Sequence, residues 1–262
     1  MAISLDSIIT GKSKKPPKII FYAVGGFGKT TFGAQSYSPI FLQTEEGIGN
    51  LDYPRFPLAT KYDDVKSALS TLIEEGHEYK TIIIDTLDGL EKLVFDKVIE
   101  VYNETKKPVL SISEVPFGGG YSSALTYWHE IISLLNQLNN KNIMVICLAH
   151  SLIKSFSPPD SDAYDRYRFN LHDKSAELLK DWADIVLFGN YVIRHRKSGQ
   201  GFNQEVKAIG GDERVVYTEE RASHWAKNRY SLPYEIPFRK NESFKTFIDL
   251  LYPPKTEKEK TV

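Results

Sequence analysis

The run Ala23-Val24-Gly25-Gly26-Phe27-Gly28-Lys29-Thr30 constrains this chain more than any other stretch. An apolar segment, Lys18-Ile19-Ile20-Phe21-Tyr22, precedes it and suits a buried strand, while Thr31-Phe32-Gly33-Ala34-Gln35 can open a helix. Strand, glycine-rich turn, lysine, hydroxyl and helix in that order describe a phosphate-binding loop. Small residues at 23, 25, 26 and 28 let backbone N–H groups turn toward phosphate oxygens, and the positive end of the next helix faces the same anion. The expected binding set is Gly25, Gly26, Phe27, Gly28, Lys29, Thr30 and Thr31. Lys29 would reach the β- and γ-phosphates of ATP, and Thr30 would ligate Mg²⁺. Ala23 stands where the usual motif has its first glycine, so that position must avoid positive φ.

The pattern downstream predicts an α/β fold, a mostly parallel sheet flanked by helices with an antiparallel C-terminal hairpin extension. Strands are expected at 39–43, 81–85 and 142–150, and helices at 62–75, 87–102, 122–138 and 174–182. Residues 184–194 and 204–209 read as a hairpin, with 214–218 as a third strand and a short helix near 243–251. Two stretches resist such assignment. Residues 109–121 contain Gly118-Gly119-Gly120 and read as a mobile surface loop, and 151–172, with Ser157-Pro158-Pro159, as a long loop. The expected organisation is a basic leader over 1–17, one core over 18–252 and a charged, disordered tail over 253–262. A net charge of −1 means that nucleic-acid binding must use a local patch. A single cysteine, Cys147, sits in an apolar run and forms no internal disulfide, and no segment has membrane length. A soluble protein of a reducing cytoplasm is expected.

Chemistry gathers at strand ends. Ile82-Ile83-Ile84-Asp85 places a carboxylate beside the metal held by Thr30, acting through its water shell, although a strand meeting a turn gives the same pattern. Glu45 and Glu46 follow the second strand, and either is placed to orient an attacking water. His150 ends the strand carrying Cys147 and either senses the γ-phosphate or bonds a loop carbonyl. Between 150 and 172, Lys154, Arg166, Arg168 and His172 interleave with Phe156, Tyr164, Tyr167 and Phe169, a pattern suited to single-stranded nucleic acid, with Asp160, Asp162, Asp165 and Asp173 opposing it. Arg194, His195, Arg196 and Lys197 make a basic hairpin tip, a solvated turn or a phosphate contact. Lys227 and Arg229, two apart, share one side of an extended segment and can reach one anion together, or form an ordinary charged strand end.

Taken in order, these motifs resemble a RecA-type ATPase core, and more narrowly the phage-encoded RecA-like nucleotide-binding proteins linked to single-strand annealing recombination. The resemblance rests on Gly25 to Thr31, Leu42 to Gly47, Ile82 to Thr86, Val145 to His150, Trp182 to Val186 and Ala226 to Arg229 with Leu232-Pro233. It implies Glu45 as the catalytic glutamate, ATP bound between subunits of a homo-oligomer, and Lys227 and Arg229 as fingers reaching a neighbour's phosphate. It also implies single-stranded DNA at 113–121 and 151–172, and recombination or replication proteins as partners. His150 departs from the family's usual sensor glutamine. Rival readings are a nucleotide-gated loading module with little turnover, a helicase or packaging motor, and a small-molecule kinase.

Overall fold

A computed structural model describes residues 7, 8, 10, 11, 15–47, 52–198 and 205–253, with the side chains at 193–198 and 205–210 outside that description. Most of the basic leader, the side chains of Arg194, His195, Arg196 and Lys197, and the tail from 254 onward therefore lie outside the described residues. Five strands form the parallel centre: β1 (Lys18–Ala23), β2 (Pro39–Gln43), β3 (Thr81–Asp85), β4 (Met144–Phe156) and β6 (Ile185–Ser198), in the order β2-β3-β4-β1-β6. Beyond β6 the sheet continues antiparallel through β7 (Glu205–Tyr217) and β9 (Glu235–Pro237). The short β8 (Lys227–Asn228) pairs with the start of β6, and β5 (Tyr164–Phe169) pairs with the outer half of β4 and bridges to His224 through Tyr167.

Helices cover both faces, and the strand residues show why. Along β1, Ile20 and Tyr22 enter one apolar cluster while Ile19, Phe21 and Ala23 enter the other. In β4, Val145, Cys147 and Ala149 alternate with Met144, Ile146 and Leu148 in the same way. A parallel sheet buried on both sides reads as a continuous apolar run for this reason. The first cluster lies under α2 (Tyr62–Glu74), α3 (Leu87–Thr105), α4 (Gly119–Asn140) and α5 (Asp173–Trp182). The second lies under α1 (Lys29–Ala34) and α6 (Ser243–Leu251). The Cys147 thiol is fully buried, and burial pushes its pKa up.

Three expectations change. Residues 151–172 are not a long loop: β4 runs on to Phe156 and turns back through β5, with Leu152 opposite Arg168 and Lys154 opposite Arg166. Their polar alternation hid the ribbon, because the arginines are paired rather than solvated. Residues 109–121 fold into two 3-10 turns at 112–114 and 116–118, and Gly119 and Gly120 already belong to α4. Gly120 is there for close approach, since a Cβ would sit 2.6 Å from the Ile112 side chain. The expected third strand at 214–218 is the continuation of β7, which bends across a register shift opposite Tyr191 and Ile193.

Candidate nucleotide site

The site forms at the C-terminal ends of the parallel strands, where open α/β sheets place their ligands. Register brings its parts level: Ala23 pairs with His150 on one side and Gly189 on the other, and Gln43 pairs with Asp85. Ala23 is a strand residue, as its departure from glycine requires. Left-handed φ falls instead on Gly26 (70°) and Gly28 (113°), and at Gly25 and Gly26 an added Cβ would meet nothing within 4 Å. The loop thus presents open backbone to a cavity of about 400 Å³ that Lys29, Thr30, Glu45, Glu46, Asp85 and His150 also line.

Thr30 Oγ1 donates to Asp85 Oδ2 at 3.1 Å, so the hydroxyl and carboxylate converge as Mg²⁺ ligation or water-shell contact requires. Burial pushes the Asp85 carboxyl up to about 6, with Glu45 adding to the rise and Thr30 and Lys29 opposing it. A carboxylate held this way gains from a cation beside it. Burial likewise lowers the Lys29 pKa, against the pull of Asp88, Asp85 and Glu45. Its ammonium donates to the Ala23 carbonyl at 3.4 Å.

Helix α3 starts at the Thr86 cap, whose hydroxyl accepts from Gly89 N at 3.2 Å. Gly89 lets this turn approach β2, because a Cβ would fall 2.5 Å from Thr44 Oγ1. The same turn delivers Asp88, which sequence reasoning missed although it lies three residues past Asp85. Asp88 Oδ1 accepts from the His150 ring at 2.7 Å and from His150 N at 3.1 Å. The Asp88 hydrogen bond raises the His150 pKa; at Asp88, burial pushes upward, but hydrogen bonds from His150 and Thr86 together with the His150 charge lower the carboxyl overall. Glu45 Oε1 stands 3.9 Å from His150 Nδ1, which joins Glu45 to this pair.

A family model described as an AAA domain (AAA_24) matches residues 15–230. The chain belongs to this AAA-domain family of P-loop NTPases. Its mixed, mostly parallel sheet is the RecA-like form of the P-loop NTPase fold. Among solved structures, the flagellar accessory protein FlaH from Methanocaldococcus jannaschii is similar at 12% identity and a TM-score of 0.42, over 86% of this chain and 85% of that one. No curated protein matches the chain.

In this AAA domain the P-loop is anchored from behind. The Phe27 ring is fully buried, 4.5 Å from the Phe238 ring, and a Cβ on Gly189 would meet it at 2.6 Å. Arg214 on β7 donates to the Phe27 carbonyl at 2.6 Å. Lys240 joins the nucleotide cavity from the stretch after β9. Neither Arg214 nor Lys240 carries a local sequence signal, since both reach the loop only through the antiparallel extension.

Lys227 and Arg229 do not line the nucleotide cavity of their own chain. β8 pairs with Ile185 and Val186, at the opposite end of the β6 pairing from Gly189 beside the P-loop. Lys227 Nζ donates to the carbonyls of Lys180 and Asp181 at 2.8 Å each, capping α5 at its negative end. Arg229, just past the end of β8, pairs with Asp184 at 3.1 Å. On the ribbon, Arg166 pairs with Glu220, and Arg168 and Lys154 with Asp173. Tyr167 and Phe169 pack against the core, which leaves Leu152, Ile153 and Phe156 as the exposed large apolar residues of the ribbon. Tyr121 stacks on His172 with ring centres 3.9 Å apart, bringing the start of α4 against the ribbon's root. No helix among the described residues is long and apolar enough to cross a membrane.

Proposed function

We propose that this AAA-domain protein binds ATP with Mg²⁺ between subunits, hydrolyses it, and holds single-stranded DNA against the β4–β5 ribbon, in phage recombination or replication. The observation that carries the ATPase reading is the convergence of Lys29, Thr30, Asp85 and Glu45 on one cavity at the strand ends. Thr30 and Asp85 are the residues that would hold Mg²⁺, which when bound would supply positive charge toward the phosphates. Glu45 orients and polarises the attacking water, and Lys29 adds fixed positive charge at the γ-phosphate. Glu46 lines the same cavity, but Glu45 is the one within reach of His150. Arg229 or Lys227 of a neighbouring subunit completes the site by leaving its Asp184 or α5 partner.

The DNA reading is supported by continuity: β4 carries His150 at the nucleotide and runs directly into the ribbon. With its cations paired, the ribbon offers rings and aliphatic groups for stacking more than free charge. ATP hydrolysis with and without single-stranded DNA, at two salt concentrations, tests both readings. Lys29→Ala should lose nucleotide binding and turnover together, whereas Glu45→Gln should keep binding and lose about 100-fold or more in rate. Hydrolysis that ignores DNA would leave the nucleotide-gated module in its place.

A further inference from the structure

A second cavity of about 400 Å³ adjoins the nucleotide cavity on the α3 side, and Glu45, Asp88, Glu91, His150 and His172 line it. Asp88 and Glu91 are each only 7% exposed; their hydroxyl neighbours Thr86 and Ser175 help hold them ionised, yet among the described residues Asp88 Oδ2 and Glu91 Oε1 lie beyond direct hydrogen-bond distance of any donor. A buried carboxylate oxygen without a partner is costly, and a cation removes that cost. One ligand atom each from Glu45, Asp88 and His150 lies within 4.8 Å of the other two. His150 Nδ1 is 2.7 Å from Asp88 Oδ1 and 3.9 Å from Glu45 Oε1. Ligand atoms about 2.1 Å from a metal stand about 3.0 Å apart in an octahedral site and about 3.4 Å apart in a tetrahedral one. The observed separations bracket those values.

We propose that Glu45, Asp88 and His150 bind a first-row divalent transition metal of the zinc class, at a position distinct from the Mg²⁺ site of Thr30 and Asp85. An imidazole with two carboxylates favours such an ion over Mg²⁺, which prefers oxygen ligands and retained water. Binding replaces the proton shared by His150 Nδ1 and Asp88 Oδ1 and releases it to solvent. Glu91 Oε1, one helical turn along α3, is positioned to accept from a water on the bound ion. An ion here occupies Glu45, so it holds the ATPase in an idle state; that consequence rests on the hydrolytic reading, whereas the site itself does not.

The test uses tag-free, chelator-stripped full chain without nucleotide, titrated with Co²⁺ and followed by its visible ligand-field absorption. Wild type and Thr30→Ala should bind Co²⁺ alike, and Asp88→Asn and His150→Gln should each weaken binding by about tenfold or more. Circular dichroism melts identify variants that fail to fold, and Glu45→Gln supplies an independent loss at the third ligand. Absence of Co²⁺ absorption in wild type, or absorption unchanged in all three ligand variants, overturns the proposal. Zn²⁺ bound with hydrolysis unaffected would keep the site and remove Glu45 as the water-directing group. Hydrolysis without any Co²⁺ binding would do the reverse.

Discussion

At the scale of single residues, the site depends on positions that do no chemistry. Gly189 is one: it leaves room for the Phe27 ring, and the added carbon of Gly189→Ala would fall 2.6 Å from it. Displacing a fully buried ring should cost about 1–3 kcal/mol and loosen the P-loop, read as a lower melting temperature together with weaker nucleotide binding. His224 supplies a pH signature away from the nucleotide. It is 2% exposed, its Nε2 donates to the Glu219 carbonyl at 3.1 Å, its Nδ1 meets the Ser223 hydroxyl at 3.0 Å, and burial lowers its pKa. The unfolded chain, with an ordinary histidine near 6.5, takes up the proton first as pH falls. Stability contributed here is therefore present above about pH 6.5 and lost below it. His224→Gln should narrow the difference between melting temperatures measured at about pH 7.5 and about pH 5. An unchanged difference would remove His224 from the acid response.

At the scale of elements, the β4–β5 ribbon is where sequence and structure diverge most. Lys154, Arg166 and Arg168 read as phosphate ligands in the sequence, yet each is engaged by a carboxylate in the fold. A contact made mainly by stacking should show little counterion release. The slope of log affinity for single-stranded DNA against log salt should be shallower than about −1.5, where one phosphate contributes about −0.7. Phe156→Ala, at a ring 40% exposed, should weaken binding by about 1–3 kcal/mol. A steep slope with no effect of Phe156→Ala would return the contact to the cations. The strands β1 to β3 were legible because burial on both faces writes itself as unbroken apolar runs such as Ile82-Ile83-Ile84. The ribbon was not, because Glu220, which engages Arg166, lies 54 residues further on, and Asp173, though near in sequence, meets Lys154 and Arg168 only once it opens α5 beside the ribbon.

At the scale of the whole molecule, the proposed fingers sit at the far end of β6 from the P-loop, so any contact with phosphate must be made in another copy. Mixing two inactive variants tests this. In an equimolar mixture of Arg229→Ala and Glu45→Gln, about a quarter of interfaces would pair an intact Glu45 with an intact Arg229. Hydrolysis should recover to about that share of the wild-type rate; no recovery would place Arg229 outside the site. Arg229→Ala should leave the fold intact, since its exposed ion pair with Asp184 is worth about 1 kcal/mol or less.

The sequence by itself determined the P-loop, the strand carrying Asp85, and the carboxylates and histidine at the strand ends. These are local signals: glycines where φ is positive, a lysine and hydroxyl at a helix start, and apolar runs that stop at a polar residue. Only the tertiary structure decided that Asp88 holds His150, that Arg214 and Gly189 brace Phe27, and that Lys227 caps α5. Each of those joins residues between 46 and 187 positions apart. Sheet register and helix packing bring such residues together, and no periodicity along the chain records that meeting.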